Sequence, residues 1–289
     1  MGIRYPDRII ITITSKVSDI CPVLRYAGAM TEPSTTNSNY GDLLTDWRKK
    51  RRFSQLSFAL LANVSPRHVS FLETGRANPS REMVLKLADC LAMPKAEINR
   101  ALLLAGYSPA YLARDPDAAD LEPVHKAIAH LLDRHMPYPA IGLDRLWNIT
   151  AGNPATVKLL NDAGFAGYSN LLEALSEQAP ETSSIENWQE TIGLFLARVQ
   201  TELQAGGYEP ELNQRVQKLA THFARHSTGV DIDRTKAVIP TRFRVGDRII
   251  SVFSTVASFG TLQDVTLDDL KIELMFPLDE VSKAYFTEA

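Results

Sequence analysis

The sequence contains little cysteine and no long apolar stretch. Cys21 and Cys90 are its two cysteines, and neither belongs to a metal-ligand or redox spacing. This usage is typical of a reducing, cytoplasmic protein and not of a disulfide-stabilised secreted one. No run of about eighteen apolar residues is present, so the sequence predicts no transmembrane helix and no membrane partner.

Catalytic and cofactor-binding motifs are also missing. The sequence has no phosphate-cradling glycine loop, no G-x-S-x-G elbow and no C-x-x-C pair. His222 and His226 are spaced i, i+4 on a predicted helix, but the glutamate of the metalloprotease motif is absent and no third ligand is evident. The sequence therefore predicts neither an enzyme nor a bound cofactor or metal.

Two short helices joined by a tight turn are predicted in the N-terminal third. Ser54 is placed to cap a helix over about Gln55–Ala62. Asn63 follows where the chain must turn sharply, and Asn tolerates the left-handed conformation. Ser65 can cap a second helix in which Pro66 takes the first position, where a missing N–H costs nothing. This pattern predicts a DNA-binding helix-turn-helix.

Three further helices flank this pair. Apolar residues at helical spacing predict helices over about Tyr40–Arg52 and Arg81–Ala92, the second of them capped by Ser80. Pro94 opens a fifth helix, which Gly106 ends. Five short helices match a compact helical DNA-binding domain.

Over roughly a quarter of its length the chain resembles the lambda-repressor/Cro-like (XRE) family. The residues that agree at fixed spacing are Gln55, Ala59, Ser65, Phe71-Leu72-Glu73, Gly75 and Pro79.

Charge supports the same assignment. Residues 40–110 contain eleven basic and six acidic residues, a net charge of +5, whereas the full chain carries −3 and the remainder −8. A basic module on an acidic remainder indicates that one part meets a polyanion. The basic run Lys49–Arg52 beside a helix-turn-helix favours phosphate contact, although such a run alone is more often a solvated helix end.

The second helix of the pair should read base edges in the major groove. Arg67 and His68 lie one and two residues inside it, and an arginine can donate two hydrogen bonds to guanine. Phe71, one turn after Arg67, can touch a thymine methyl or simply pack on the domain, and packing is the better supported of the two.

Other positions are predicted to contact phosphate or to hold the domain together. The resemblance implies that Gln55 and Ser65 position phosphates at helix N-termini, where free N–H groups favour an anion. Arg76 in the following loop is a further phosphate candidate. The resemblance also implies a structural pair between Arg48 and Glu73.

The chain divides into four predicted segments. Residues 1–38, with a strand-like Arg8–Thr14, are expected to be disordered, and Met30 is a candidate natural start. The DNA-binding domain covers 39–107. Residues 108–123 are acidic, contain three prolines and form the predicted linker. A second domain covers 124–289.

In the second domain the predicted order is a helix, two strands, helices and three strands. A helix over about Val124–His135 precedes strands Pro139–Asp144 and Leu146–Ala151, which meet at a tight Asp144-Arg145 turn. The remaining predicted helices and strands are Pro154–Ala163, Ile185–Ala205, Glu211–His226, and then Lys236–Arg244, Arg248–Phe259 and Leu270–Phe276, with a hairpin at Gly246-Asp247. The predicted fold class is α+β: a five-helix domain followed by a PAS-like domain with an antiparallel sheet and flanking helices.

Two stretches of the second domain resemble the C-terminal domain of MmyB-like transcription regulators: PYPAIGLDRLWNITAGNPA and ISVFSTVASFGTLQDVTLDDLKIELMFPLDE. The resemblance implies a fatty-acid-like ligand held between sheet and helices. Candidate lining residues are Trp147, Phe195, Phe223 and Phe253, although for each of them plain core is the better supported reading. Arg242 or Arg244 is a candidate partner for a ligand carboxylate, with a solvated strand-edge charge as the alternative.

The predicted protein is a cytoplasmic transcription regulator that binds operator DNA as a homodimer and senses an apolar small molecule. A dimer is expected because one reading helix covers only a half-site. The alternative is a DNA-binding regulator whose C-terminal domain serves only dimerisation or protein docking.

Overall fold

The computed structural model describes residues 39–114, 118–206, 209–227, 238–259, 264–265 and 270–288. The predicted disorder of residues 1–38, the strand at Arg8–Thr14 and the candidate start at Met30 lie outside the described residues.

Five helices form the N-terminal part of the described chain. Helices α1 to α5 are Tyr40–Lys50, Gln55–Leu61, Pro66–Glu73, Arg81–Cys90 and Lys95–Leu104. Four of them begin at a polar side chain whose oxygen accepts a hydrogen bond from the backbone N–H three residues on: Asn39, Ser54, Ser65 and Ser80. These caps satisfy N–H groups that a helix leaves without an internal partner. The three predicted serine caps are confirmed.

The predicted left-handed turn at Asn63 is confirmed by its φ of 49°. Arg52 and Ala92 are left-handed as well, with φ of 59° and 46°. Because a residue in this conformation cannot continue a right-handed helix, α1 and α4 end before these two residues and not at them.

Helix α1 passes unusually close to the C-terminal end of α3. A Cβ atom on Gly41 would lie 2.5 Å from the carbonyl oxygen of Glu73, so this crossing requires glycine. Leu44, Trp47 and Leu72 are buried in the core beside the crossing. The packing places α3 on the surface with one face held against the domain.

The C-terminal part is a five-stranded antiparallel sheet with helices. After a short 3-10 helix, Ala119–Leu121, helices α6 to α11 are Glu122–Arg134, Pro154–Asp162, Leu171–Ser176, Trp188–Gly206, Pro210–His226 and Glu280–Thr287. Strands β1 to β5 are Ala140–Leu143, Ile149–Gly152, Thr241–Val245, Arg248–Ser258 and Lys271–Pro277. The strand order is β2-β1-β5-β4-β3. The predicted α+β architecture is confirmed. None of the described helices is long and apolar enough to span a membrane.

The predicted tight turn after β1 is present but lies one residue further along. The Trp147 N–H donates to the Asp144 carbonyl at 3.1 Å, which closes a turn around Arg145 and Leu146. The Asp144 carboxylate also accepts the backbone N–H groups of Leu146 and Asn148 at 2.8 and 2.9 Å. Trp147 at the end of this turn has a φ of 66°, so β2 begins at Ile149 and not at Leu146. Burial raises the pKa of Asp144, while the hydrogen bonds from Asn148 and Leu146 act in the opposite direction.

Two helices were not predicted, and one begins later than expected. Helices α8 and α11 are capped by Asn170 and Asp279, which directly precede them. Helix α9 begins at Trp188, because Ile185 instead forms an antiparallel bridge with Phe243 of β3. The predicted hairpin between β3 and β4 at Gly246 is confirmed.

The two faces of the sheet carry different clusters. Ile141, Leu143 and Val252 belong to the large core with α7, α9 and α10. Ala140 and Ile272, which alternate with these positions along their strands, pack against α6 instead. The sheet is therefore covered on both sides.

Asn153 ties the N-terminal elements of this domain together. It is 2% exposed. Its Oδ1 accepts the N–H groups of Ala140 and Thr156 at 3.1 and 3.0 Å. Its Nδ2 donates to the carbonyls of Leu132 and Tyr138 at 3.1 and 2.8 Å. One side chain thus joins α6, β1 and the start of α7.

Asn153→Ala should lower the free energy of unfolding by about 3 kcal/mol, because it removes a helix cap and leaves buried backbone groups without partners. Chemical denaturation of the full chain measures this. Asn161→Ala, an exposed position on the same helix, is the control and should change stability by at most about 0.5 kcal/mol. Equal effects of the two substitutions would contradict the role given to Asn153.

Candidate functional site

Helix α3 presents a basic, partly aromatic surface. Arg67 is exposed, whereas His68 and Phe71 are half-buried. The Arg67 guanidinium lies 5.1 Å from the centre of the Phe71 ring, a cation–π distance. Val69 and Leu72 on the other side of the helix are buried in the core. Phe71 therefore packs under Arg67, and the arginine remains at the surface.

The N-terminus of α3 is also at the surface. The Ser65 hydroxyl accepts the N–H of His68 at 3.1 Å, and Pro66 takes the first helical position. Ser65 is exposed and acts as a helix cap. Arg76, in the loop after α3, has an exposed side chain.

Glu73 at the end of α3 gathers a buried polar cluster. The Arg48 Nε and Nη2 atoms donate to the two carboxylate oxygens of Glu73 at 2.5 and 3.0 Å. The side chains are only 10% and 5% exposed. Gln55 donates its Nε2 to Glu73 at 2.7 Å. The expected pair of Arg48 with Glu73 is present, and Gln55 is engaged with the same carboxylate. The phosphate role of Gln55 stays a prediction.

The basic run after α1 is divided between structural and exposed side chains. Arg51 donates to the carbonyls of Leu91 and Ala92 at 2.8 and 2.7 Å. Lys50 lies 4.5 Å from the centre of the Trp47 ring, and burial lowers its pKa. Lys49, Lys50 and Arg52 are exposed. These three side chains of the run remain available to a phosphate, whereas Arg51 is held by the two carbonyls.

The predicted ligand-lining aromatics do not share one cavity. Trp147 is fully buried and meets Phe195 edge-on, with ring centres 4.7 Å apart. Phe223 stacks on Trp188 at 5.6 Å in the same core. Phe253 stacks on Phe276 at 5.4 Å. Because Phe253 is adjacent to the core residue Val252 along β4, it lies on the opposite face of the sheet.

The predicted ligand-pairing arginines are placed on β3. The Arg242 Nε donates to the Glu186 carboxylate at 2.5 Å, so this guanidinium already has a counter-ion. Arg244 is exposed. Neither arginine lines a cavity described for this chain.

An apolar groove of about 300 Å³ lies beside the edge strand β2. Its lining comes from β2, from α7 and from the loop that follows α7, and we call this loop the rim of the groove. The lining residues are Ile149, Thr150, Ala151, Gly152, Thr156, Val157, Leu160, Asn161, Phe165, Ala166, Gly167, Tyr168 and Ser169. None was a predicted site residue. The sequence signal is a run of small residues at an edge strand followed by a glycine-containing loop.

A second cavity, of about 370 Å³, lies between α8 and α10 and is polar. Lys218, His222 and Arg225 are among its lining residues. The His222 and His226 rings are 4.7 Å apart, but His222 Nε2 lies 3.0 Å from the Gln178 carbonyl. The described part of the chain contains no group of three ligands for a metal ion.

A short segment, Ala110–Arg114, connects the two parts of the chain; we call it the strap. On one side, Asn99 of α5 accepts the N–H groups of Ala110 and Tyr111 at 2.9 and 3.0 Å and donates to the Tyr111 carbonyl at 2.7 Å. On the other side, Leu112 accepts the N–H of Val265 at 2.9 Å. The strap lies within the predicted linker and is hydrogen-bonded at both ends.

An ion pair reinforces the second attachment of the strap. Arg114 donates to the Asp264 carboxylate at 2.8 Å, and Asp264 is 3% exposed. Arg114 also contacts Asp120 just before α6. The connection between β4 and β5 is thereby joined to the five-helix domain through the strap.

Comparison with known families agrees with this geometry. A family model described as MmyB-like transcription regulator ligand binding domain matches residues 124–288, more than half of the chain. The chain belongs to the MmyB-like transcription regulators. A helix-turn-helix model matches residues 44–98 of this MmyB-like regulator, and the matched region includes α2 and α3. No curated protein matches the chain.

Arg48→Ala should destabilise the DNA-binding domain by about 3 kcal/mol, because the buried Glu73 carboxylate would lose its cation. Chemical denaturation measures this when it is followed by the fluorescence of Trp47. The background for the measurement is a variant in which the other two tryptophans are replaced by phenylalanine. Arg81→Ala removes an exposed arginine of α4 and is the control. If both substitutions had the same small effect, the Glu73 cluster would contribute nothing to stability.

Proposed function

We propose that this MmyB-like regulator binds operator DNA through α3, with Arg67 and His68 at base edges and Ser65, Gln55 and Arg76 at phosphates. The observation that carries the proposal is the exposure of Arg67 on a helix whose opposite face is locked into the domain core. This exposure is found in the presence of the C-terminal domain, so the described arrangement leaves the reading surface open.

The proposed operator-binding form is a cytoplasmic homodimer. One α3 spans only a half-site, and paired half-sites usually lie about one helical turn, roughly 34 Å, apart. Two copies are therefore needed to read a full operator.

The proposed ligand of the C-terminal domain is an apolar small molecule with a fatty-acid-like chain. Support comes from the membership in a family of ligand-binding regulators and from the apolar groove at β2. Ligand sites are mostly apolar concave surfaces with a few polar groups, and a volume of about 300 Å³ is at the lower end of their range. The strand order β2-β1-β5-β4-β3 supports a PAS-like arrangement of this sheet.

The strap is the proposed link between ligand and DNA. A ligand can change operator affinity only if it binds two arrangements of the protein differently. The row of paired residues Ile149, Leu143, Lys271 and Ser258 crosses the sheet from the groove to the end of β4. The β4–β5 connection begins there and contacts the strap at Leu112. The proposed coupling therefore follows the sheet from β2 to β4 and reaches the strap through the contacts of Asp264 and Val265.

Arg67→Ala should weaken binding to the selected operator about tenfold and relax the preference at one base position. The protein first selects duplexes from a random pool, and fluorescence anisotropy then measures its affinity for the selected operator and for variants of it. Arg76→Ala should instead weaken binding to all duplexes alike and reduce the salt slope by about 1. Arg134→Ala, exposed on α6, should change neither quantity. An Arg67→Ala protein with unchanged affinity and preference would refute base reading.

Asn99→Ala should release the strap, because three backbone hydrogen bonds depend on this side chain. Trypsin cleavage after Arg114 should become about tenfold faster, as expected when a local opening becomes more frequent. Mass spectrometry of the fragments measures the rate. Asn213→Ala on α10 is the control. An unchanged cleavage rate would mean that Asn99 does not hold the strap.

A further inference from the structure

The lining of the groove beside β2 contains no charged side chain. All thirteen lining residues are apolar or neutral polar residues. We propose that this groove is the ligand site and that it selects an uncharged ligand, such as a medium-chain alcohol or ketone, over a carboxylic acid of the same length. The inference deepens the proposed function and rests on its ligand-binding half.

The charged side chains of α7, one of the elements that line the groove, are engaged with each other. Lys158 and Asp162 of α7 pair with each other at 3.1 Å, and Asp162 also accepts the Tyr285 hydroxyl at 2.6 Å. Glu177 accepts the hydroxyl of Tyr168 at 3.1 Å. A carboxylate in the groove would meet no cation among the lining residues, so any hydration that it lost would not be compensated, which disfavours its charged form.

Neutral polar groups at the groove remain available to a ligand. Among the described residues, none forms a hydrogen bond with the Asn161 carboxamide or the Thr150 hydroxyl, and both residues are exposed. By contrast, the Thr156 hydroxyl is used within the protein, where it donates to the Ala140 carbonyl at 2.7 Å. An amide and a hydroxyl can each donate to and accept from a ligand hydroxyl or carbonyl. These two groups can orient a bound ligand without a charged contact.

The second cavity of the domain offers the opposite chemistry. Its lining includes the cations Lys218 and Arg225, which an anionic ligand would meet there and not in the groove. The groove and the second cavity therefore favour ligands of different charge. Whether the protein prefers a neutral or an anionic ligand indicates which of the two sites it uses.

The test compares 1-decanol with decanoate, each titrated into the full chain at pH 7.5 below its micelle concentration and followed by calorimetry. We expect 1-decanol to bind about tenfold more tightly, because the ionised acid must be desolvated without a partner.

Matched variants locate the site. Ala166→Trp places a large side chain at the groove rim and should abolish 1-decanol binding, whereas Ala224→Trp, at an exposed alanine of α10, should not. Asn161→Arg adds a cation to the α7 side of the groove and should raise the affinity for decanoate about tenfold. Circular dichroism confirms that each variant is folded.

Each result has one meaning. Tighter binding of 1-decanol that Ala166→Trp removes supports the proposal. Tighter binding of decanoate to the wild-type chain overturns the selection for an uncharged ligand. Binding that survives Ala166→Trp, or no binding of either compound, overturns the groove as the site. Operator binding, measured on the same preparation, shows separately whether the DNA-binding half of the proposed function holds.

Discussion

The position of α3, the proposed reading helix, depends on one buried carboxylate. Glu73 ends α3, and its two oxygens receive hydrogen bonds from Arg48 of α1 and Gln55 of α2. A buried carboxylate is tolerated only when such donors surround it, so the three helices must meet in one geometry. The close crossing at Gly41 makes the same demand on the backbone. The orientation of Arg67 on the surface follows from these interior contacts.

The sheet domain uses the same principle. Asn153 joins three elements through four hydrogen bonds, and the Asp144 carboxylate shapes the loop between β1 and β2. These contacts fix β2 at the edge of the sheet. The chain after α7 turns away through Gly164 and Gly167, whose φ angles are 74° and 90°. The groove is the space left between this loop and β2, and no charged residue lines it.

Local chemistry made most of the fold predictable. Serine caps, the turn at Asn63 and apolar periodicity identified the five N-terminal helices, because these signals act within a few residues. Helix α8 was not predicted, because a helix of six residues is too short to show a hydrophobic period. Trp147 was predicted to lie in a strand, but its backbone is left-handed, in a loop that the Asp144 carboxylate holds through hydrogen bonds. The sheet separates the aromatic side chains that were predicted to line the ligand site. A shift of one residue along a strand moves a side chain to the other face of the sheet.

The sequence by itself determined the two-part organisation, the α+β class, the helix-turn-helix and the basic surface of the DNA-binding domain, since each rests on residue type and short spacing. Only the tertiary structure decided that Gln55 bonds Glu73, that Arg242 already has Glu186 as a partner, and that the cavity lies at β2 and not at the buried aromatics. These features arise between residues distant in sequence, and such contacts exist only after the backbone has brought the elements together.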